Sequence, residues 1–485
     1  MRLSLCFPCA EFAPFAKAGG LGDVCAALAA YLHRRGHDIR VVLPYYRSVR
    51  DSGLAVRPVP ALTDRRLHYG PHMVGYSILE AVRGDEDPPL YLVDCPEFYD
   101  REALYGDSDH EHLRFATLCD AAIDFCQELG WAPDIMHCHD WHTALVPVLL
   151  ATRRRGNDTF RNCRSILTLH NLGYQGVFPD AALETLGLGP FREQLEWQDQ
   201  AQGIFGFLKN GILMADWLST VSPTYAREIT TPEYGFGLDP LLRQRESRLV
   251  GILNGVDYDI WDPACDRLLP HPYSVRDLSG KREMKKALLD RIGLAGHTGP
   301  LITQITRLTE QKGIDLLMQV LPGAMQHWPL ALAVLGTGEK RFADFYQHLA
   351  DAYPQQVRFV NTYNTDLAHW IEAAGDMFVM PSRYEPCGLN QMYSLRYGNV
   401  PIVRRTGGLA DTVTAADTTA ASGTGFLFDD YDAAALADAL ASALATYREP
   451  EHWHALMVRG MREDFSWETQ GSVYESFYRQ VLSSQ

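Results

Sequence analysis

At 485 residues the chain is about three times the ~150 residues of an ordinary domain, so a single small module is excluded and two large domains or three ordinary ones are expected. Hydrophobic residues make up 46% and charged residues 21%, the balance of a globular chain with a large core rather than of a disordered one. The 44 Lys+Arg against 60 Asp+Glu leave a net charge of −16, which excludes a general nucleic-acid or anionic-membrane binder, so an anionic ligand has to be met by a local basic pocket.

The first element is a short apolar strand, Leu3 to Phe7, followed by a Gly-rich loop and a helix whose apolar residues Val24, Leu28, Tyr31 and Leu32 recur at helical spacing. Gly36 is placed to end that helix. Ile39 to Leu43 is the next β-rich run, and strand–helix alternation continues through Ile135 to His137, Ser165 to Leu169 and Trp217 to Val221, the pattern of a parallel α/β sheet. Turn formers between Gly251 and Pro263 mark a junction. The alternation then restarts, with strands at 301–305, 330–335, 357–360, 377–380 and 400–403 and a helix over 314–321. A second doubly wound domain follows. The chain closes on an amphipathic helix between Asp464 and Leu482.

Ten cysteines scattered over this length do not form the dense framework of a small secreted domain and fit a reducing compartment. Cys6 and Cys9 form a C-x-x-C without a redox context and read as two packed thiols. Pro8, Glu11 and Pro14 interrupt what would otherwise resemble a signal peptide, and apolar runs such as Ala144 to Ala151 fall short of the ~20 residues needed to span a bilayer. A soluble, cytoplasmic protein is expected.

Motifs that carry chemistry sit where strands give way to loops. Lys17-Ala18-Gly19-Gly20-Leu21-Gly22-Asp23-Val24 pairs a cation with a Gly-Gly turn and opens a helix, an arrangement suited to a phosphate group that matches neither a Walker site nor a dinucleotide fingerprint. Arg405-Thr406-Gly407-Gly408-Leu409-Ala410-Asp411-Thr412 echoes it in the second half. Arg307 and Lys312, just beyond the strand 301–305, are two cations able to neutralise a departing diphosphate. In Pro381 to Leu389, Pro386 suits the first turn of a helix, which places Glu385 at the N-cap with the N–H groups of Gly388 and Leu389 free to bind oxygens. His137-Cys138-His139-Asp140-Trp141-His142 puts His137 and His139 on one face at a strand end, a pattern open to zinc ligation or to sugar recognition by stacking and hydrogen bonding.

In this order the pieces resemble the bacterial glycogen synthases and plant starch synthases. The resemblance runs through Glu11 with Lys17 to Val24, His139 to His142, His170-Asn171-Leu172, Ser222 to Ala226, Asn254-Gly255-Val256-Asp257, Arg307 to Gly313, Glu385 to Leu389, Arg404 to Asp411 and on to Phe465-Ser466-Trp467. It implies an α/β GT-B fold, two Rossmann-like doubly wound domains facing a deep cleft, with bounds of 1–248, 249–460 and a C-terminal helix, 461–485, crossing back to the first domain. The implied activity is a retaining glycosyltransferase that moves glucose from ADP-glucose, in some members UDP-glucose, to the non-reducing end of an α-1,4-glucan such as glycogen, with no cofactor, no metal, no nucleic acid and no membrane.

Carried over by position, Arg307 and Lys312 bind the diphosphate, helped by the loop of Lys17, Gly19, Gly20 and Asp23 and by the N–H groups of Cys387, Gly388 and Leu389. Glu385 and Asn254 hold the donor sugar's hydroxyls, Tyr363 stacks near the adenine, His139 lies beside the anomeric carbon, and Glu11 lies toward the acceptor. A retaining hydrolase would use two carboxylates about 5 Å apart, one as nucleophile. No such pair is evident among the matched residues, which points to same-face displacement resting on cations and positioning. Two departures stand out. Asp109-His110-Glu111-His112 replaces the Asp-Asn pair that relatives carry before Leu113-Arg114-Phe115, leaving the glucose contact open among Asp109, His110 and Glu111, and Tyr393 stands where other GT-B transferases place a second Glu. The alternatives are a GT-B transferase with another donor or acceptor and a catalytically silent glucan-binding protein, for which the retained cleft cations are the contrary sign.

Overall fold

A computed structural model describes residues 2–106, 108, 110–417 and 421–484. Two compact units divide the chain, one of Met1–Val221, Ala226–Gly255 and Trp467–Gln485, the other of Ser222–Tyr225 and Val256–Ser466. The divisions expected after 248 and 460 thus fall after 255 and 466.

The first unit is built on a ten-stranded sheet. Its strands run Leu249–Gly251, Trp217–Thr220, Arg164–Leu169, Ile135–His139, Ser4–Pro8, Asp38–Pro44, Leu90–Asp94, His72–Ala81 and Val56–Pro58, with Arg65–Tyr69 also paired to His72–Ala81. From Leu249–Gly251 to Leu90–Asp94 every pair is parallel. The remainder is antiparallel and corrects the expectation of a wholly parallel sheet. Its signature is the alternation in His72–Ala81, where Val74, Tyr76 and Ile78 are buried and Met73 and Gly75 exposed, as in a sheet with one wet face.

The second unit holds a six-stranded parallel sheet in the order Val357–Val360, Ala331–Leu335, Leu301–Ile305, Met377–Met380, Val400–Arg404, Phe426–Phe428. Numbered along the chain this is 3-2-1-4-5-6, and the parallel strands of the first unit follow the same scheme with one strand more. Strand alternation builds two cores. Leu332 and Val334 face Ile314, Leu317, Phe342 and Leu440, whereas Ala331, Ala333 and Leu335 face Met284, Leu288, Ile371 and Tyr397. The helix expected over 314–321 runs to His327 and carries Pro322 within it.

The closing helix, Trp467–Ser483, belongs to the first unit. Phe477 meets Trp217 edge to face at 5.8 Å. Glu475 accepts from buried His37 Nε2 at 2.9 Å, since His37 Nδ1 takes the N–H of Leu3 and the ring proton must lie on the other nitrogen. Tyr478 Oη bonds His137 Nδ1 at 2.9 Å, both side chains being inaccessible to solvent. Tyr478→Phe would leave that nitrogen unpaired, and a loss of about 1–3 kcal/mol is expected. Urea denaturation should give a lower midpoint at unchanged slope; an unmoved midpoint would show that the bond contributes nothing to helix docking.

Candidate active site

In an open parallel sheet ligands bind beyond the carboxyl ends of the strands, where the strand order reverses. In the first unit that place lies between Ser4–Pro8 and Ile135–His139, so the loops carrying Glu11 to Gly20 and Asp140 to His142 leave from neighbouring strands. In the second it lies between Leu301–Ile305 and Met377–Met380, which brings the Arg307–Gly313 and Pro381–Leu389 loops side by side. Motifs far apart in the chain thus become adjacent within each unit.

In the first unit Glu11 is buried and its carboxylate is fully engaged. Oε2 accepts from the N–H groups of Ala18 at 2.8 Å and Gly19 at 3.0 Å, and Oε1 accepts from Tyr105 Oη at 2.7 Å. Glu11 therefore braces the Lys17 loop. Lys17 pairs with Asp23 at 2.8 Å, and Gly19 is the N-cap of the helix Gly20–Arg34. His139 is 1% exposed; its Nδ1 lies 3.1 Å from His170 Nε2, and its own Nε2 is buried without a hydrogen-bond partner. Asp140 sits in the left-handed region at φ 53°, which costs a non-glycine residue on the order of 1–2 kcal/mol. Its Oδ1 accepts from the N–H groups of His170 at 2.7 Å and Asn171 at 3.4 Å, tying the second loop to His139. Burial, opposed by those N–H groups, pushes the Asp140 carboxyl up to about 7. Asn254 is buried in the same unit with Oδ1 unpaired. Glu111 is bonded to Arg101, Ser108 and Arg114, while His110 is exposed at the helix start; Asp109 lies outside the described residues.

His137 and His139 do share one face, their rings 4.4 Å apart. Both nitrogens of His137 are engaged, with Tyr478 and with Thr168 Oγ1 at 2.6 Å, and among the described residues no three His, Cys, Asp or Glu side chains converge to hold a metal.

In the second unit Lys312 Nζ is 2.7 Å from Glu385 Oε2, which also accepts from Ser382 Oγ at 2.9 Å. Glu385 is 5% exposed, so this is a largely desolvated ion pair anchoring one loop to the other. Arg307 is exposed on the first of these loops, and Tyr363 is 73% exposed ahead of the helix Thr365–Ala374. Cys387 is buried, and Gly388 and Leu389 are half-buried.

Two expectations change. Glu385 is not an N-cap: the helix begins at Asn390 with Leu389 as its cap, because Gly388 at φ 72° turns the chain out of the right-handed region. The Gly407-Gly408 turn, read as an echo of the Lys17 loop, follows the fifth strand of its sheet rather than the first. Its glycines serve backbone contact, since a Cβ at either position would collide with the carbonyl oxygen of Glu385 or Cys387, and the Gly408 N–H donates to Glu385 O at 3.0 Å. Sequence reading missed Gln391, whose side chain binds the Glu385 loop; its spacing of four from Cys387 was the available signal.

Burial holds the imidazoles of His137 and His142 down at about 3 and drives His139 well below the ordinary histidine value, with neighbouring charges acting in the same direction. All three are neutral near pH 7. Their folded pKa values are depressed, so the stability they confer is full above the unfolded value of about 6.5 and is lost as pH falls below it. Each contributes a slope of about 1.4 kcal/mol per pH unit while the unfolded chain takes up a proton that the folded one refuses. Denaturation titrations at decreasing pH should show His142→Gln flattening that slope by about one proton. An identical slope would mean that His142 protonates as readily folded as unfolded.

The "Starch synthase catalytic domain" family matches residues 4–244 and the "Glycosyl transferases group 1" family residues 286–455. A glycogen synthase of Syntrophotalea carbinolica is 40% identical, with 99% of each chain covered, and one of Myxococcus xanthus is 43% identical over 99% of this chain and all of its own. The catalytic domain of starch synthase IV from Arabidopsis thaliana, solved with ADP and acarbose, superposes with a TM-score of 0.92 at 33% identity, covering 100% of both chains. Sucrose-phosphate synthase from Thermosynechococcus elongatus shares the fold at a TM-score of 0.60 and 17% identity. The fold is α/β of the GT-B class, and on identity of this level over its whole length the chain belongs to the glycogen synthase and starch synthase family of glycosyltransferases.

Proposed function

We propose that the protein is a glycogen synthase that transfers glucose from ADP-glucose to the non-reducing end of an α-1,4-glucan, retaining configuration and releasing ADP. The observation that carries the reading is Lys312, held by buried Glu385 at the strand-order reversal of the second sheet, in a chain whose net charge is −16. The ADP and acarbose in the starch synthase IV structure support a nucleotide donor and a glucan acceptor.

Arg307 and Lys312 take the diphosphate, with the Lys17, Gly19, Gly20 and Asp23 loop and the N–H groups of Cys387, Gly388 and Leu389 assisting. Glu385 and Asn254 receive sugar hydroxyls, Tyr363 stacks near the adenine, His139 offers its unpartnered Nε2 beside the anomeric carbon, and Glu11 keeps the Lys17 loop in shape on the acceptor side. No matched carboxylate is idle: Glu11, Asp23, Asp140 and Glu385 are each engaged by protein donors. That engagement supports a mechanism without a carboxylate nucleophile. The bond from anomeric carbon to phosphate oxygen breaks, charge collects on the diphosphate and is met by the cations, and the acceptor hydroxyl bonds to the same face while its proton passes to the departing phosphate oxygen. The reading calls for no cofactor or metal, and cysteines that form no disulfide support a cytoplasmic setting. No helix among the described residues is long and apolar enough to cross a membrane.

Incubation with glycogen and labelled ADP-glucose or UDP-glucose should place label in polymer, with ADP-glucose preferred. Lys312→Ala should lower turnover at saturating donor by about 10²- to 10³-fold. Because it also leaves Glu385 unpaired in a buried place, thermal unfolding is measured alongside. A folded variant turning over near the wild-type rate would refute the electrostatic account.

A further inference from the structure

Every carbonyl from Arg383 to Gly388 is tied down. Arg383 O accepts from Arg404, Tyr384 O from Gln311, Glu385 O and Pro386 O from the N–H of Gly408, and Cys387 O and Gly388 O each from Gln391 Nε2 at 3.0 Å. The N–H groups of Gly388 and Leu389, by contrast, have no acceptor among the described residues. In a trans peptide the C=O and N–H of one unit point in opposite directions. The amide that holds Cys387 O and Gly388 O therefore aims the N–H groups of Gly388 and Leu389 away from itself.

Gln391 is completely buried. Its amide group contacts a third oxygen, Thr412 Oγ1 at 3.1 Å, and because that hydroxyl donates to Gly408 O, its oxygen is the acceptor. Gln391 Oε1 has no partner and occupies the space into which a Cβ on residue 388 would project. Only the donor end of this side chain is used, on two carbonyls of the loop and on Thr412.

We propose that Gln391 is a positioning residue for donor recognition: it orients the Gly388 and Leu389 N–H groups toward the diphosphate of the nucleotide sugar. The inference rests on the reading that these N–H groups receive the diphosphate. Gln391→Met keeps the bulk and removes both donors, letting the two peptide units rotate. Titration of ADP and of adenosine into the full-length protein separates a diphosphate effect from general damage. ADP affinity should fall about tenfold or more while adenosine affinity stays within about twofold, and the KM for donor should rise while that for glycogen holds. If the wild-type protein binds ADP no more tightly than adenosine, the diphosphate reading itself fails. If it does prefer ADP and Gln391→Met keeps the same preference, the positioning role is overturned and the proposed activity stands. Should Gln391→Met not fold, Thr412→Val, which withdraws one of the oxygens that hold the amide, decides: a fall of about threefold in the preference for ADP supports the role, and an unchanged preference overturns it.

Discussion

The reversal of strand order on either side of the first strand is the constraint on which the rest depends. In each unit the chain leaves the first strand toward one face of the sheet and the fourth strand toward the other, so the two loops part at the carboxyl ends, where open sheets of this kind form the crevice that takes a ligand. Glu11, Lys17 and His139 gather there in the first unit, and Arg307, Lys312 and Glu385 in the second. Nothing in their local sequence would bring them together without that topology.

Within the crevices the electrostatics are settled before any ligand arrives. A chain with sixteen more acidic than basic residues keeps Lys312 in the second site by pairing it with a carboxylate that is itself buried and bonded to Ser382. A buried ion pair is weak evidence for stability, because desolvation offsets the attraction, but it fixes where the cation stands. The histidines of the first site carry no charge for the opposite reason: each is buried without an anionic partner close enough to compensate. Glu11 and Asp140 use their carboxylates to hold backbone N–H groups, which fixes the shape of the loops beside them.

Much of this was legible in the residues. Alternating strand and helix patterns indicated two doubly wound domains, and the closing helix and the Gly36 stop stand within a few residues of their expected places. The antiparallel strands between 56 and 81 escaped notice because their half-buried alternation is weaker than the continuous apolar runs of a parallel sheet. Pro386 suggested a helix start, but the left-handed turn at Gly388 delays it to Asn390. Gly407-Gly408 looked like a ligand turn, although its missing side chains make room for another loop's carbonyls.

What the sequence determined by itself was the kind of element each segment forms and the chemistry placed at each strand end, because periodicity and side-chain type are local properties. Tertiary structure alone decided the rest: that Lys312 meets Glu385, that Asp140 ties His170 to His139, and that Gln391 turns two peptide units outward. These pairings depend on strand order and on carbonyls seeking donors across loops distant in the chain, and such contacts leave no local pattern to be read.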